Sequence, residues 1–211
     1  MAVISIKTET REGVLRIELS DGSVFSFNPC YLPDGVEINA AKEEDLRFAS
    51  ACLRAEKTAL QLIARAEQTV SGLSRKLHKR GHDSACVRAV TQRLAELGLL
   101  DNYRYARLWL ESKISRQGTS PRRLLAALCA KGIDLDDAER VLKETLNGET
   151  ELRLLERYAQ KQRRLGKLDP VDGESSASEC RELKYMLKNE GFSKITIEIF
   201  LEEDSLLIHH F

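Results

Sequence analysis

One spacing recurs three times in this chain and limits what it can fold into. Residues 73–90 read LSRKLHKRGHDSACVRAV, residues 124–141 read LLAALCAKGIDLDDAERV, and residues 183–200 read LKYMLKNEGFSKITIEIF. In each copy Leu stands eight and four residues before a Gly, and apolar residues stand six and nine after it. Leu73/Leu77, Leu124/Leu128 and Leu183/Leu187 are i, i+4 pairs, which share one face of a helix. Gly81, Gly132 and Gly191 follow where a helix ends on a left-handed residue. A polar residue able to cap a new helix comes next: Asp83 or Ser84, Asp134, and Ser193. Val87/Val90, Ala138/Val141 and Ile197/Phe200 supply the buried stripe of that second helix.

A further helix precedes each pair, at about 55–68, 102–115 and 150–163, with Leu60 and Ile63, Tyr105 and Trp109, and Leu155 and Tyr158 as apolar anchors. The expected fold is therefore mainly α. Tandem three-helix repeats bury faces on one another and form an elongated array. The expected divisions are a small β extension at 1–40, a leading helix and repeat one at 41–100, repeat two at 101–147, and repeat three at 148–211. The Gly-to-Gly spacings are 51 and 59, and the extra length falls in a Gly-, Pro- and Ser-rich loop at 165–178.

The β extension is read from VISIKT (3–8), VLRIEL (14–19) and VFSF (24–27), which alternate apolar and polar. Ser20-Asp21-Gly22-Ser23 between the last two is a hairpin signal. So small a β-hairpin element must pack on a neighbour to persist.

Lys+Arg and Asp+Glu each number 33, but the balance is uneven along the chain. Residues 54–131 carry 16 basic and 6 acidic side chains, against 5 and 9 before them and 12 and 18 after. Such asymmetry fits a polyanion or an acidic protein surface as partner, or helices that neutralise one another within the fold. The five Cys are widely spaced with no C-x-x-C, as expected of reduced cytoplasmic thiols used as small apolar residues. No apolar run reaches 18 residues and the first residues lack the apolar core of a signal peptide, so no membrane association is expected.

The candidate contacts to a partner are cations on successive helices. Arg75, Lys76, Lys79 and Arg80 cluster at one helix end. Arg104, Arg107 and Arg116 follow on the next helix, Arg122 and Arg123 begin another, with outward-facing backbone N–H groups, and Lys131 ends it. Arg and Lys at such intervals suit phosphates or an acidic groove. Stacking aromatics are scarce among them, with Tyr103 the one candidate, so base readout by stacking is not expected from these residues. His78 and His82 have a ligand-like spacing, but Gly81 breaks the helix between them, so no metal site is expected. Asp134, Asp136 and Asp137 read as helix capping. No G-x-x-x-x-G-K-S/T, G-x-S-x-G or H-E-x-x-H is present, and neither an enzyme nor a cofactor is expected.

Three segments carry a family resemblance: LSRKLHKRG (73–81), AELGLLDNYRYARLWL (95–110) and RQGTSPRRLLAALCAKGI (116–133). Lys76, Leu77 and Gly81 match one motif of the RecX regulatory proteins. Gly98, Leu100, Asp101, Arg104 and Ala106 match a second. Gly118, Arg122 or Arg123, Leu124, Leu128, Lys131, Gly132 and Ile133 match a third. The chain departs from the pattern at Asn102, at Tyr105 and at Thr69, where the capping-box Glu is absent. The match covers residues 59–146 well and 150–203 loosely; residues 1–45 lie outside it. The resemblance implies tandem three-helix repeats and a regulator of the RecA recombinase. Such proteins bind in the groove of the RecA–single-stranded DNA filament, suppress its ATPase, strand exchange and coprotease activities, and in many cases bind DNA weakly. On this reading repeats one and two face the phosphates and the acidic third repeat faces recombinase protein. The alternative is a stand-alone helical DNA-binding protein, since helix–Gly–helix also describes a helix-turn-helix.

Overall fold

The computed structural model of the protein describes residues 3–9, 13–33, 35, 38, 41–167 and 177–208. The middle of the expected 165–178 loop, and residues 209–211 of the SLLIHHF tail, lie outside the described residues.

Strands β1 (Val3–Glu9), β2 (Val14–Leu19) and β3 (Val24–Phe27) form an antiparallel sheet in that order. The β2–β3 turn closes as its sequence requires. The Gly22 N–H donates to the Leu19 carbonyl at 2.9 Å, the Ser23 N–H donates to Asp21 Oδ1 at 2.9 Å, and Gly22 has φ +82°. Ile17, Leu19 and Phe27 turn to one face and join the core of the following helices.

Nine α-helices follow among the described residues: α1 (Glu43–Ile63), α2 (Val70–His78), α3 (Ser84–Glu96), α4 (Asn102–Arg116), α5 (Pro121–Ala130), α6 (Leu135–Thr145), α7 (Gly148–Arg164), α8 (Ala177–Asn189) and α9 (Lys194–Ile208). The leading helix and the first helix of repeat one are a single element, α1, because neither Gly nor Pro interrupts residues 43–63. Leu60 is not the anchor its spacing predicts: it is exposed, while Cys52, Ala55 and Ala59 are buried. α1 packs against β3 on one side and α3 on another, and small side chains permit that double approach.

The repeated helix ends share one geometry. The N–H groups of His82, Ile133 and Phe192 donate to the carbonyls of Leu77, Leu128 and Leu187, each at 3.3 Å. This is the Schellman bond, six residues closed to one, and it requires a left-handed residue before the donor. Gly81, Gly132 and Gly191 supply it with φ of +82°, +81° and +90°. The next helices begin as predicted: Asp83 Oδ1 accepts from the Ala85 N–H at 2.8 Å, Asp134 Oδ1 from the Asp136 N–H at 3.2 Å, and Ser193 Oγ from the Thr196 N–H at 3.2 Å. Thr69 still caps α2 without the missing Glu, accepting from the Gly72 N–H at 2.9 Å.

The chain divides into two compact units, Met1–Asp101 and Asn102–Phe211. The first holds the sheet and α1–α3 around one core with Leu46, Leu73, Leu77, Val90 and Leu94 at its centre. The second holds α4–α9, and here repeats two and three share a single core that runs from Ala106 and Leu110 to Leu187, Phe192 and Phe200. Each of these buried Leu side chains contributes about 1.5–3 kcal/mol of burial. All five Cys are free thiols; Cys52 and Cys86 are buried, with burial pushing the Cys52 thiol up, whereas Cys30 is exposed and serves no core.

Candidate nucleic-acid interface

In the first unit, Arg75, Lys76, Lys79 and Arg80 are all exposed at the C-terminal end of α2. Cations are favoured there by the helix dipole. Two of the four are engaged locally. Arg80 Nη1 donates to the Lys76 carbonyl at 3.2 Å, capping the helix end, and Lys76 Nζ donates to Gln68 Oε1 at 2.7 Å. Arg75 and Lys79, one turn apart, have no ion-pair partner among the described residues.

The other six cations belong to the second unit. Arg116, Arg122 and Arg123 are exposed and flank the link 117–120 between α4 and α5. The outward-facing N–H groups expected at the start of α5 are not all free. The Arg122 N–H donates to the Glu190 carbonyl at 3.0 Å, and Ser120 Oγ donates to the Glu190 carboxylate. The end of α8 thus sits on the first turn of α5, and only the Arg122 and Arg123 side chains reach outward. Lys131 is half-buried, its Nζ lying 5.9 Å from the Tyr105 ring centre and 5.3 Å from that of Trp109. Lys113 approaches Trp109 as well, at 5.6 Å. Arg104 is half-buried and engaged.

Arg107 stands in a setting its own helix does not announce. It lines a cleft of about 570 Å³ with Glu111, Glu144, Arg153 and Arg157. Arg107 Nε lies 3.9 Å from Glu111, and Arg153 Nη2 lies 2.5 Å from Glu149. Arg157 Nη1 donates to the carbonyls of Ile114 and Ser115, each at 2.8 Å, and so caps the end of α4. Sequence reading missed Arg153 and Arg157; their i, i+4 spacing on α7 was the available signal. Guanidinium groups arrayed this way can bind phosphate or carboxylate through paired N–H donors.

Tyr103, the one stacking candidate among the basic residues, is occupied. Its hydroxyl donates to Glu144, which holds the phenol above its ordinary range, and Arg140 lies 4.9 Å from its ring centre. His78 Nε2 is 3.2 Å from Ser84 Oγ, and among the described residues no group of three or more His, Cys, Asp or Glu could hold a metal ion. No helix among them is long and apolar enough to cross a membrane.

A family model described as RecX, second three-helix domain, matches residues 101–142. A protein of Treponema pallidum (strain Nichols) named "Regulatory protein RecX" is 35% identical over 119 residues, 56% of this chain and 73% of that protein. Its namesake in Pseudomonas syringae pv. tomato is 36% identical over 133 residues, 61% of this chain and 80% of that one. Among solved structures, a crystal structure of regulatory protein RecX shares the fold with a TM-score of 0.67, at 20% identity, over 95% of this chain and 98% of the other. RecX from Lactobacillus salivarius does so with a TM-score of 0.59, at 20% identity, over 75% and 99%.

Proposed function

The chain belongs to the RecX family of regulatory proteins, and from that premise we propose that it binds the filament formed by RecA recombinase on single-stranded DNA and inhibits it. The protein lies in the helical groove of the filament, in the cytoplasm, and needs no cofactor and performs no catalysis. Its cations contact phosphates and acidic recombinase surface from successive repeats. That contact blocks entry of a duplex and restrains the movements between recombinase subunits that ATP turnover requires, lowering ATPase, strand exchange and coprotease activity together.

The observation that carries this reading is the set of exposed cations left without ion-pair partners among the described residues. Arg75 and Lys79 belong to the first three-helix repeat, and Arg116, Arg122 and Arg123 to the second. All five side chains are exposed, so each carries its charge to solvent. Neutralising charge within the fold would have consumed them; an external polyanion uses them.

The test is the ATPase rate of a RecA–single-stranded DNA filament as the protein is added. The expected result is a fall in rate at far fewer protein molecules than recombinase subunits. An unchanged rate overturns the proposal, and salt-dependent binding to bare DNA in that case would support a stand-alone DNA-binding protein instead.

A further inference from the structure

The aromatic side chains divide sharply by exposure. Tyr31, Tyr158, Phe192 and Phe200 lie in the cores, Tyr103 is held by Glu144 and Arg140, and Tyr105 and Trp109 are half-buried with lysine over them. Among the described residues Tyr185 alone of the aromatics is exposed, to 69%. Nothing in the repeat calls for it. The shared register puts Ala126 at this position in the second copy and Arg75 in the first.

The surroundings of Tyr185 are cationic. Lys184 precedes it on α8 and Lys188 follows one turn later. Across the Gly191 turn, Lys194 and Glu198 of α9 face the same place, and together with Ile197 these residues line a recess of about 220 Å³. That exceeds the cavity of about 150 Å³ that accepts a benzene ring. Among the described residues that line it, Glu198 is the one carboxylate, 3.8 Å from Lys194. The Lys194 side chain is 85% exposed, so this ion pair is weak and open to exchange for a phosphate.

We infer that this α8–α9 surface binds single-stranded nucleic acid, with one base stacked on the Tyr185 ring and with Lys184, Lys188 and Lys194 neutralising the adjoining phosphates. An aromatic face among ammonium groups is the arrangement by which unpaired bases are held without sequence preference. A duplex keeps its base faces stacked within the helix, where Tyr185 has no access to them. The acidic character of the third repeat, taken over its whole length, conceals this local excess of lysine. The inference rests on these residues and is independent of the recombinase reading.

The experiment titrates the full chain, without recombinase, into a labelled short oligothymidylate and reads fluorescence anisotropy across a salt series. Tyr185→Ala is expected to weaken binding roughly 5- to 100-fold, the worth of one stacked base. Tyr185→Phe keeps the ring and stays within about twofold of the wild type. An abasic strand of equal length binds the wild type with the same loss. Replacing all three lysines by Ala reduces the salt slope by about 2. These side chains are exposed, and circular dichroism confirms that each variant is folded. Equal affinity of Tyr185→Ala and wild type overturns the inference, as does a blunt duplex bound as tightly as the single strand, or no binding by the wild type at low salt. Because no recombinase is present, the ATPase result can stand or fall separately.

Discussion

A Cβ placed on Gly118 would lie 2.4 Å from the carbonyl oxygen of Arg157. The α4–α5 link therefore runs directly against the backbone of α7, and the Arg157 side chain returns to cap α4. Gly118 is required for close approach, since its φ is an ordinary one and the obstacle is backbone that cannot rotate away.

Gly118→Ala is expected to cost about 2–3 kcal/mol, because α7 must shift to admit a methyl group. Gly148→Ala is the control. Position 148 opens α7 with no atom near its would-be Cβ, so Ala there is expected to be neutral or to stabilise by about 0.5 kcal/mol. Urea unfolding of the two variants measures both.

Glu151 is buried on α7, where Oε1 accepts from the Ser193 N–H and Oε2 from the Thr196 hydroxyl, each at 2.7 Å. It holds the start of α9 from another helix. Glu151→Ala leaves both donors without their acceptor and is expected to cost about 2–3 kcal/mol. Hydrogen exchange at residues 193–197 should rise above that of the other α9 amides; uniform protection would refute the role.

Tyr31 predicts a pH effect. Its hydroxyl is buried with no partner within hydrogen-bond distance among the described residues, and burial, with the Glu56 carboxylate nearby, holds the phenol above its ordinary range. Burial and Glu190 do the same for Tyr158. The folded state favours the neutral phenols, so their stability is fully present below the unfolded value of about 10 and is lost as pH rises through the folded values. Tyr31→Phe is expected to change stability by less than about 1 kcal/mol at pH 7, since no hydrogen bond is lost. It should also make the decline above pH 10 shallower, as thermal unfolding across that range would show.

Arg122→Glu with Arg123→Glu tests the filament reading at its clearest point. The bond from position 122 to Glu190 is made by the backbone and survives the change. Filament affinity is expected to fall several-fold or more, with a smaller dependence on salt. Unchanged affinity in a folded variant would remove α5 from the interface.

Local structure was legible in the order of the residues. The Leu–Leu–Gly spacing marked three helix ends that close with the same bond, and Asp83, Asp134 and Ser193 marked the starts that follow. Asp21-Gly22 marked the hairpin. Each of these signals is complete within a few residues, because backbone hydrogen bonds and φ are set locally. The state of each side chain on the surface was set instead by partners distant in the chain. Tyr103 is occupied by Glu144, 41 residues away, and Arg107 shares a cleft with arginines from a helix 46 or more residues later. Leu60 faces solvent because α1 packs on two neighbours at once, and Tyr185 faces solvent because none of the described residues covers it. Exposure and charge pairing are sums over chain segments brought together by folding, and a periodicity within one helix contains neither.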